Sequence, residues 1–315
     1  MIGITRILVP TDFSPTSDVA LNYAKQLAGQ FAASLHLVHA FEDPFTTAAF
    51  ASQAYTAIPL ALREQLISET DARLAERLRP DERVRFTGTT EVITGTPASA
   101  IVDYGRTIGA DLVVMGTHGR SGLSHVVFGS VAERVVRTAP CPVLTLRERP
   151  ARALRHILVP TDFSAGADAA LDLAYVLAAR AGADVQLLHV LDDPFVAEGV
   201  VAEAYIAEAP TLRTAMLHDA QERLSHRSVA PGNVVVRSEV LFGQNAKAIA
   251  EYAAMRTSDL IVMGTHGRTG VAHLLLGSVA ARLVRTAPCP VLTLRQTPAA
   301  RASAELVYAI DHLPA

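Results

Sequence analysis

The chain carries one pattern twice. Gly129–Arg147 reads GSVAERVVRTAPCPVLTLR and Gly277–Arg295 reads GSVAARLVRTAPCPVLTLR, with two differences in nineteen positions, Glu133 against Ala281 and Val135 against Leu283. VMGTHGR recurs at Val114–Arg120 and Val262–Arg268, and ILVPTDFS at Ile7–Ser14 and Ile157–Ser164. The first motif is offset by 150 residues and the later ones by 148. A unit of that length is far longer than a solenoid repeat, so each copy can bury a core of its own. Whatever chemistry one copy has is expected in the other.

A chain of 315 residues fits two domains. The repeats place them at residues 1–147 and 155–295, joined by a linker over 148–154 and followed by a tail over 296–315. Leu306, Ile310 and Leu313 lie at helical spacing, which predicts an amphipathic tail helix. The net charge of −3 gives no global basic field, which argues against nucleic acid or an anionic membrane as partner. No apolar run is long enough to span a bilayer. RILVP follows so soon after the start that no signal peptide is expected, and the location expected is the cytoplasm. Cys141 and Cys289 occupy one position of the repeat, in Ala-Pro-Cys-Pro, and read as small buried hydrophobes.

Strand and helix signals alternate along each copy. In the first, strands are expected at Ile7–Pro10, Ser34–Phe41, Val84–Ile93, Asp111–Met115 and Val143–Leu146. Helices are expected at Ser17–Ala28, Ala57–Leu78, after Gly95-Thr96-Pro97 with Thr96 as N-cap, and at Ser130–Arg137, while Glu42–Tyr55 reads as irregular. The second copy repeats the order, with Asn245 as the cap in place of Thr96. Continuous Val, Ile and Leu strands alternating with helices predict an α/β fold: two tandem open parallel sheets with helices on both faces.

Ligands of such sheets bind beyond the carboxyl ends of the strands, where the strand order reverses. Two strand ends carry unusual residues. The first runs into Pro10-Thr11-Asp12-Phe13-Ser14, and the fourth into Gly116-Thr117-His118-Gly119, with Gly129-Ser130 opening a helix after nine further residues. Glycines let backbone approach a ligand, and a helix N-terminus favours an anion. The dipole alone contributes only about 0.3–1 kcal/mol, whereas micromolar nucleotide binding needs about −8 kcal/mol. Several amides, the Ser130 hydroxyl and base contacts must therefore act together. Neither a G-x-x-x-x-G-K-[ST] loop nor a G-x-G-x-x-G after the first strand is present, which excludes a Walker loop and argues against a dinucleotide site.

ILVPTDFS, VMGTHGR, the spacing G-x2-G-x9-G-S and the closing APCPVL together resemble the universal stress protein family, over residues 3–147 and 155–295. The spaced glycine–serine motif marks its ATP-binding branch. It is intact in both copies, as Gly116, Gly119, Gly129 and Ser130, and as Gly264, Gly267, Gly277 and Ser278. The resemblance implies five strands per sheet in the order 3-2-1-4-5, with ATP at the switch point. It implies that Pro10-Thr11-Asp12 and Pro160-Thr161-Asp162 line the site, with Asp12 and Asp162 near the ribose, the phosphates or an indirectly held Mg²⁺. It implies that Ala40 and Val190 face adenine through backbone groups, and that the glycines with Ser130 and Ser278 hold phosphates and ribose. It also implies pairing of the two domains through their last strands, and leaves open a homodimer of whole chains. If Val143–Leu146 and Val291–Leu294 pair antiparallel, Cys141 and Cys289 stand at opposite ends of the ribbon, beyond disulfide reach.

Each of these residues also has a plainer reading. Asp12 and Asp162 can serve the turn before a helix. His118 and His266 read as loop packing, and His39 and His189 as satisfied core or rim histidines. Arg120 and Arg268 lie either over the phosphates or in solvent. The paired arginines of the last helix, Arg134 with Arg137 and Arg282 with Arg285, read as a solvated face. Three functions compete: an ATP-binding stress or signalling protein, a slow ATPase or phosphotransferase, and a nucleotide-free scaffold or chaperone. The motif offers a cradle and one acid per copy but no dedicated base, so hydrolysis is expected to be weak at most.

Overall fold

Successive residues of a strand face opposite sides of its sheet. Ile7, Leu8 and Val9 are all fully excluded from water, and so are Ile157, Leu158 and Val159. Both faces of the sheet around these strands are therefore covered, which is why the strands read as unbroken apolar runs. The computed structural model describes residues 3–42, 60–117, 128–147, 153–192, 203–267 and 276–295, with the backbone alone at 60, 61 and 203–210. These fall into two compact units, divided in sequence between residues 150 and 151. The linker residues 148–152 and the tail helix expected around Leu306–Leu313 lie outside the described residues.

In the first unit the order is β1 (Arg6–Pro10), α1 (Pro15–Phe31), β2 (Ser34–Phe41), α2 (Leu60–Arg77), α3 (Pro80–Arg85), β3 (Thr89–Thr94), α4 (Pro97–Ile108), β4 (Leu112–Gly116), α5 (Ser130–Thr138) and β5 (Val143–Leu146). All pairings are parallel. β1 lies between β2, with Pro10 opposite Val38, and β4, with Leu8 opposite Val113. β3 flanks β2 and β5 flanks β4. The second unit runs β6 (His156–Pro160), α6 (Ala165–Ala181), β7 (Asp184–Leu191), α7 (Glu203–Ser225), β8 (Val236–Phe242), α8 (Asn245–Met255), β9 (Leu260–Gly264), α9 (Ser278–Thr286) and β10 (Val291–Leu294). Here β6 lies between β7 and β9, β8 flanks β7 and β10 flanks β9.

The first helix of each unit shows how local sequence sets these elements. Ser14 and Ser164 cap α1 and α6 by accepting from the amides of Ser17 and Ala167. The stripe Ala20, Leu21, Ala24, Leu27, Ala28 is buried as its spacing predicts, and α1 packs on β1 and β4. Both helices end in a left-handed residue, Ala32 in α1 and Gly182 in α6, with φ of 53° and 65°.

Two expectations need correction. Val84 and Arg85 do not begin a strand; they close α3, where Val84 is 84% exposed, and β3 starts only at Thr89. Pro80 at the first helical position and the Glu82 carboxylate, which accepts from the Arg79 amide at 3.0 Å, nucleate that extra turn. Thr96 is the N-cap residue of α4, as expected, although its hydroxyl makes no cap bond. Asn245 is not a cap at all: Gln244 holds that position, and Asn245 Nδ2 instead donates to Asp192 Oδ1 at 2.9 Å.

The copies differ in how α1 and α6 grip the end of the next long helix. Lys25 Nζ donates to the Arg77 carbonyl at 3.2 Å and pairs with Glu82 at 2.8 Å. In the second unit Tyr175 donates its hydroxyl to the Arg227 carbonyl at 2.8 Å. Two expected outcomes follow. Burial pushes the Glu82 carboxyl up, but hydrogen bonds from Lys25 and from the Arg79 amide, with the charges of both cations, hold it below its ordinary value. Its contribution to stability is thus complete above the unfolded glutamate pKa of about 4.3 and fades as pH falls through the lower folded value. Glu82→Gln will flatten the acid limb of the stability curve measured by urea unfolding between neutral and acid pH. Ala32→Gly will stabilise its unit, and Gly182→Ala will destabilise its own, each by about 0.5–1 kcal/mol on the same assay, because an alanine side chain strains a left-handed residue.

Candidate functional site

In each unit two outgoing strand ends meet where the winding reverses, β1 with β4 and β6 with β9. Residues after β1 are tied into a turn. Thr11, buried, donates its amide to the Val38 carbonyl at 2.8 Å and accepts from the Phe13 amide at 3.0 Å through Oγ1. Asp12 Oδ1 accepts from the Ser14 amide at 3.1 Å and hydroxyl at 2.6 Å. The second copy repeats this: Thr161 to Leu188 at 2.8 Å, Phe163 to Thr161 at 3.0 Å, and Ser164 to Asp162 at 3.0 Å. The plainer reading of the two acids is therefore realised by one carboxylate oxygen, and the other is turned elsewhere. In the second unit the site of a Cβ on Gly267 lies 2.6 Å from Asp162 Oδ2, so the acid stands directly over the glycine backbone of the opposite strand end.

The backbone of β2 and β7 supplies a third wall. In a parallel strand the N–H and C=O of one residue point to the same side, and alternate residues repeat the direction. Val38 faces β1, since its carbonyl accepts from Thr11, and Phe41 faces β3, since its carbonyl accepts from Gly95 at 3.1 Å. Ala40 therefore turns its N–H and C=O toward β1, whose pairing has already ended at Pro10 opposite Val38. Val190 does the same beyond Pro160 opposite Leu188, with the Leu191 carbonyl bonded to Gly243 on the far side.

The glycines divide their labour. A Cβ on Gly264 would meet the backbone of Gly166 at 3.0 Å, and one on Gly116 would meet the Thr16 side chain at 2.8 Å and its backbone carbon at 3.2 Å. This first glycine lets the start of α1 or α6 pack on the strand end. Gly129 and Gly277 are the N-cap residues of α5 and α9, with Ser130 and Ser278 exposed at the first helical position. Their amides donate to the carbonyls of Thr117 at 2.9 Å and Thr265 at 2.8 Å, which closes the loop. His266 accompanies the loop, its Nδ1 2.9 Å from Thr265 Oγ1. His118, Gly119, Arg120 and Arg268 lie outside the described residues.

Three features escape a motif search. Asp111 Oδ2 accepts from the amides of Thr5 at 2.8 Å and Arg6 at 2.9 Å, and Asp259 Oδ2 from Arg155 and His156 at 3.0 Å, which locks the starts of the two central strands together. Phe13 and Phe163, next to the site acids, have φ of 65° and 64°. Their rings are packed against His39 and His189 and against arginines. All of these recur in both copies, which is the signal that could have found them. Cys141 and Cys289 are free thiols whose pKa is pushed up to about 12 by burial and then by the charges of Asp111 and Asp259. Among the described residues, no group of three or more His, Cys, Asp or Glu side chains could hold a metal. A cation beside Asp12 or Asp162 would need its remaining ligands from water and phosphate.

A universal stress protein family model matches residues 3–147 and 153–295. The chain belongs to the universal stress protein family, as a tandem pair. It is 33% identical over 144 residues to a universal stress protein of Methanocaldococcus jannaschii, covering 45% of this chain and 82% of that one. A universal stress protein of Mycolicibacterium smegmatis is 28% identical over 297 residues, covering 92% of this chain and 96% of its own. The crystal structure of a universal stress protein from Archaeoglobus fulgidus superposes with a TM-score of 0.66 at 21% identity, over 95% of this chain and 98% of that one. No helix among the described residues is long and apolar enough to cross a membrane.

The glycines separate in experiment as they do in contact. Gly264→Ala drives a methyl into backbone and will cost about 1–3 kcal/mol by chemical denaturation. Gly267→Ala meets only the end of the Asp162 side chain, which can swing aside, and will cost less than about 0.5 kcal/mol.

Proposed function

We propose that each unit binds one ATP at the split between its two central strand ends, and that occupancy sets the conformation or partner choice of a stress-response protein. The observation that carries this reading is the Asp162 carboxylate standing over Gly267, which brings the first and fourth strand ends of one unit into a single cradle. The fit is chemical as well as steric. Ala40 and Val190 turn a backbone donor and acceptor toward the gap, as an adenine edge requires. Gly129-Ser130 and Gly277-Ser278 offer helix N-termini for phosphate, joined by Gly116, Gly119, Gly264 and Gly267. Pro10, Thr11, Pro160 and Thr161 fix the turns that carry Asp12 and Asp162, which would meet ribose, phosphate or an indirectly held Mg²⁺. Arg120 and Arg268 follow the loops and would neutralise phosphate charge.

In this reading residues 1–147 and 155–295 are the two functional domains, each an open five-stranded sheet of order 3-2-1-4-5, joined by 148–154 and followed by a helical tail over 296–315. The domains associate through Val143–Leu146 and Val291–Leu294, and the protein works in the cytoplasm without nucleic acid or membrane. The cradle binds and orients but supplies no dedicated base, so turnover is slow. The test is direct. Protein purified gently and denatured will release ATP, identified by mass spectrometry, at two per chain when saturated. Release of ADP alone would favour hydrolysis, and a chain that stays empty after incubation with ATP and Mg²⁺ would overturn both nucleotide readings in favour of a scaffold.

A further inference from the structure

Phe13 and Phe163 adopt a backbone conformation that an L-residue with a large side chain avoids, and they do so at the same place in both copies. Such strain persists only where the surroundings over-determine it. Here they do. The Phe13 ring lies 4.7 Å from the His39 ring, with the Arg73 guanidinium 4.3 Å from its centroid and Arg77 at 5.7 Å. Phe163 repeats this with His189 at 4.4 Å, Arg223 at 4.0 Å and Arg227 at 5.2 Å. The histidine grips the turn a second time: its Nδ1 is 2.7 Å from the carbonyl of Thr11 or Thr161, and since a carbonyl only accepts, Nδ1 carries the proton. The second arginine is held in turn by the first helix, Arg77 on Asp18 and Arg227 on both oxygens of Asp168, at 2.7 and 3.3 Å.

Both chain neighbours of the site acid are thus pinned, Thr11 by His39 and Phe13 by the ring stack, so the backbone that carries Asp12 is fixed from both sides. We propose that Arg73 and Arg223 are positioning residues for Asp12 and Asp162, acting through the strained phenylalanines; this rests on the nucleotide-site reading above. The strain of one left-handed residue and the attraction of one cation–π contact are of the same order, so removing the arginine loosens the strained residue, although the histidine, the second arginine and the threonine hydroxyl still hold the turn. The long helix that carries the arginine, α2 or α7, thereby becomes part of the site without touching it.

The test uses the full chain and a double-mutant cycle. In isothermal titration with Mg·ATP, Arg73→Ala with Arg223→Ala will weaken binding about tenfold, and the lysine pair, which restores a cation over the ring, will recover part of the loss. In an Asp12→Asn, Asp162→Asn background the same alanine pair will change affinity by less than about twofold, because its effect runs through the acids. Unchanged affinity in the parent, or an equal loss in both backgrounds, overturns the proposal. Hydrogen exchange at the Phe13 and Phe163 amides decides it without nucleotide: the alanine pair will speed their exchange about tenfold relative to amides of β4 and β9. If the parent chain binds no ATP the nucleotide reading falls, and unaltered exchange at those two amides sinks the positioning role by itself.

Discussion

Everything in each unit follows from burying a short parallel strand on both faces. β1 and β6 have no wet side, so helices must cover the sheet above and below, and the chain must wind first one way from the central strand and then the other. The reversal leaves two neighbouring strand ends whose exits diverge, and that divergence opens the gap. Asp111 and Asp259 protect the arrangement from the opposite edge by tying the starts of the same two strands.

Much of this was legible in the sequence because it depends on patterns of two kinds. Apolar runs with capping residues located most strands and helices, and Ser14, Pro15 and the Ala20–Ala28 stripe behave as their chemistry dictates. The duplicated glycines marked the strand ends where the candidate site is placed. What was not legible depends on contacts distant in sequence or on competition between local signals. Val84 and Arg85 alternate as a strand would, but Pro80 and the doubly engaged Glu82 carboxylate start a helical turn first. Asn245 has the chemistry of a cap, yet Asp192 offered it a partner one residue too late for that role. The arginines over Phe13 and Phe163 lie about sixty residues away in sequence, and only the fold lays them on the ring.

The repeated motif also concealed a division of labour. In the second unit Gly264 serves packing between helix and strand, and Gly267 lies under the acid. The Oδ1 atom of the same acid holds its turn, so one side chain engages both strand ends.

The two ways of gripping the end of the long helix bear on how a duplicated chain can change. Tyr175 satisfies the Arg227 carbonyl with a neutral hydroxyl and needs nothing else nearby. Lys25 brings a charge that must be answered, and Glu82 on α3 answers it. The heritable module in the first copy is therefore the pair of segments around Lys25 and Glu82, whereas in the second copy a single residue is self-sufficient. Recombination that carried the lysine across without its glutamate would import an unanswered cation, and a tyrosine carried the other way would leave Glu82 without its lysine, so this part of the copies exchanges only in linked blocks.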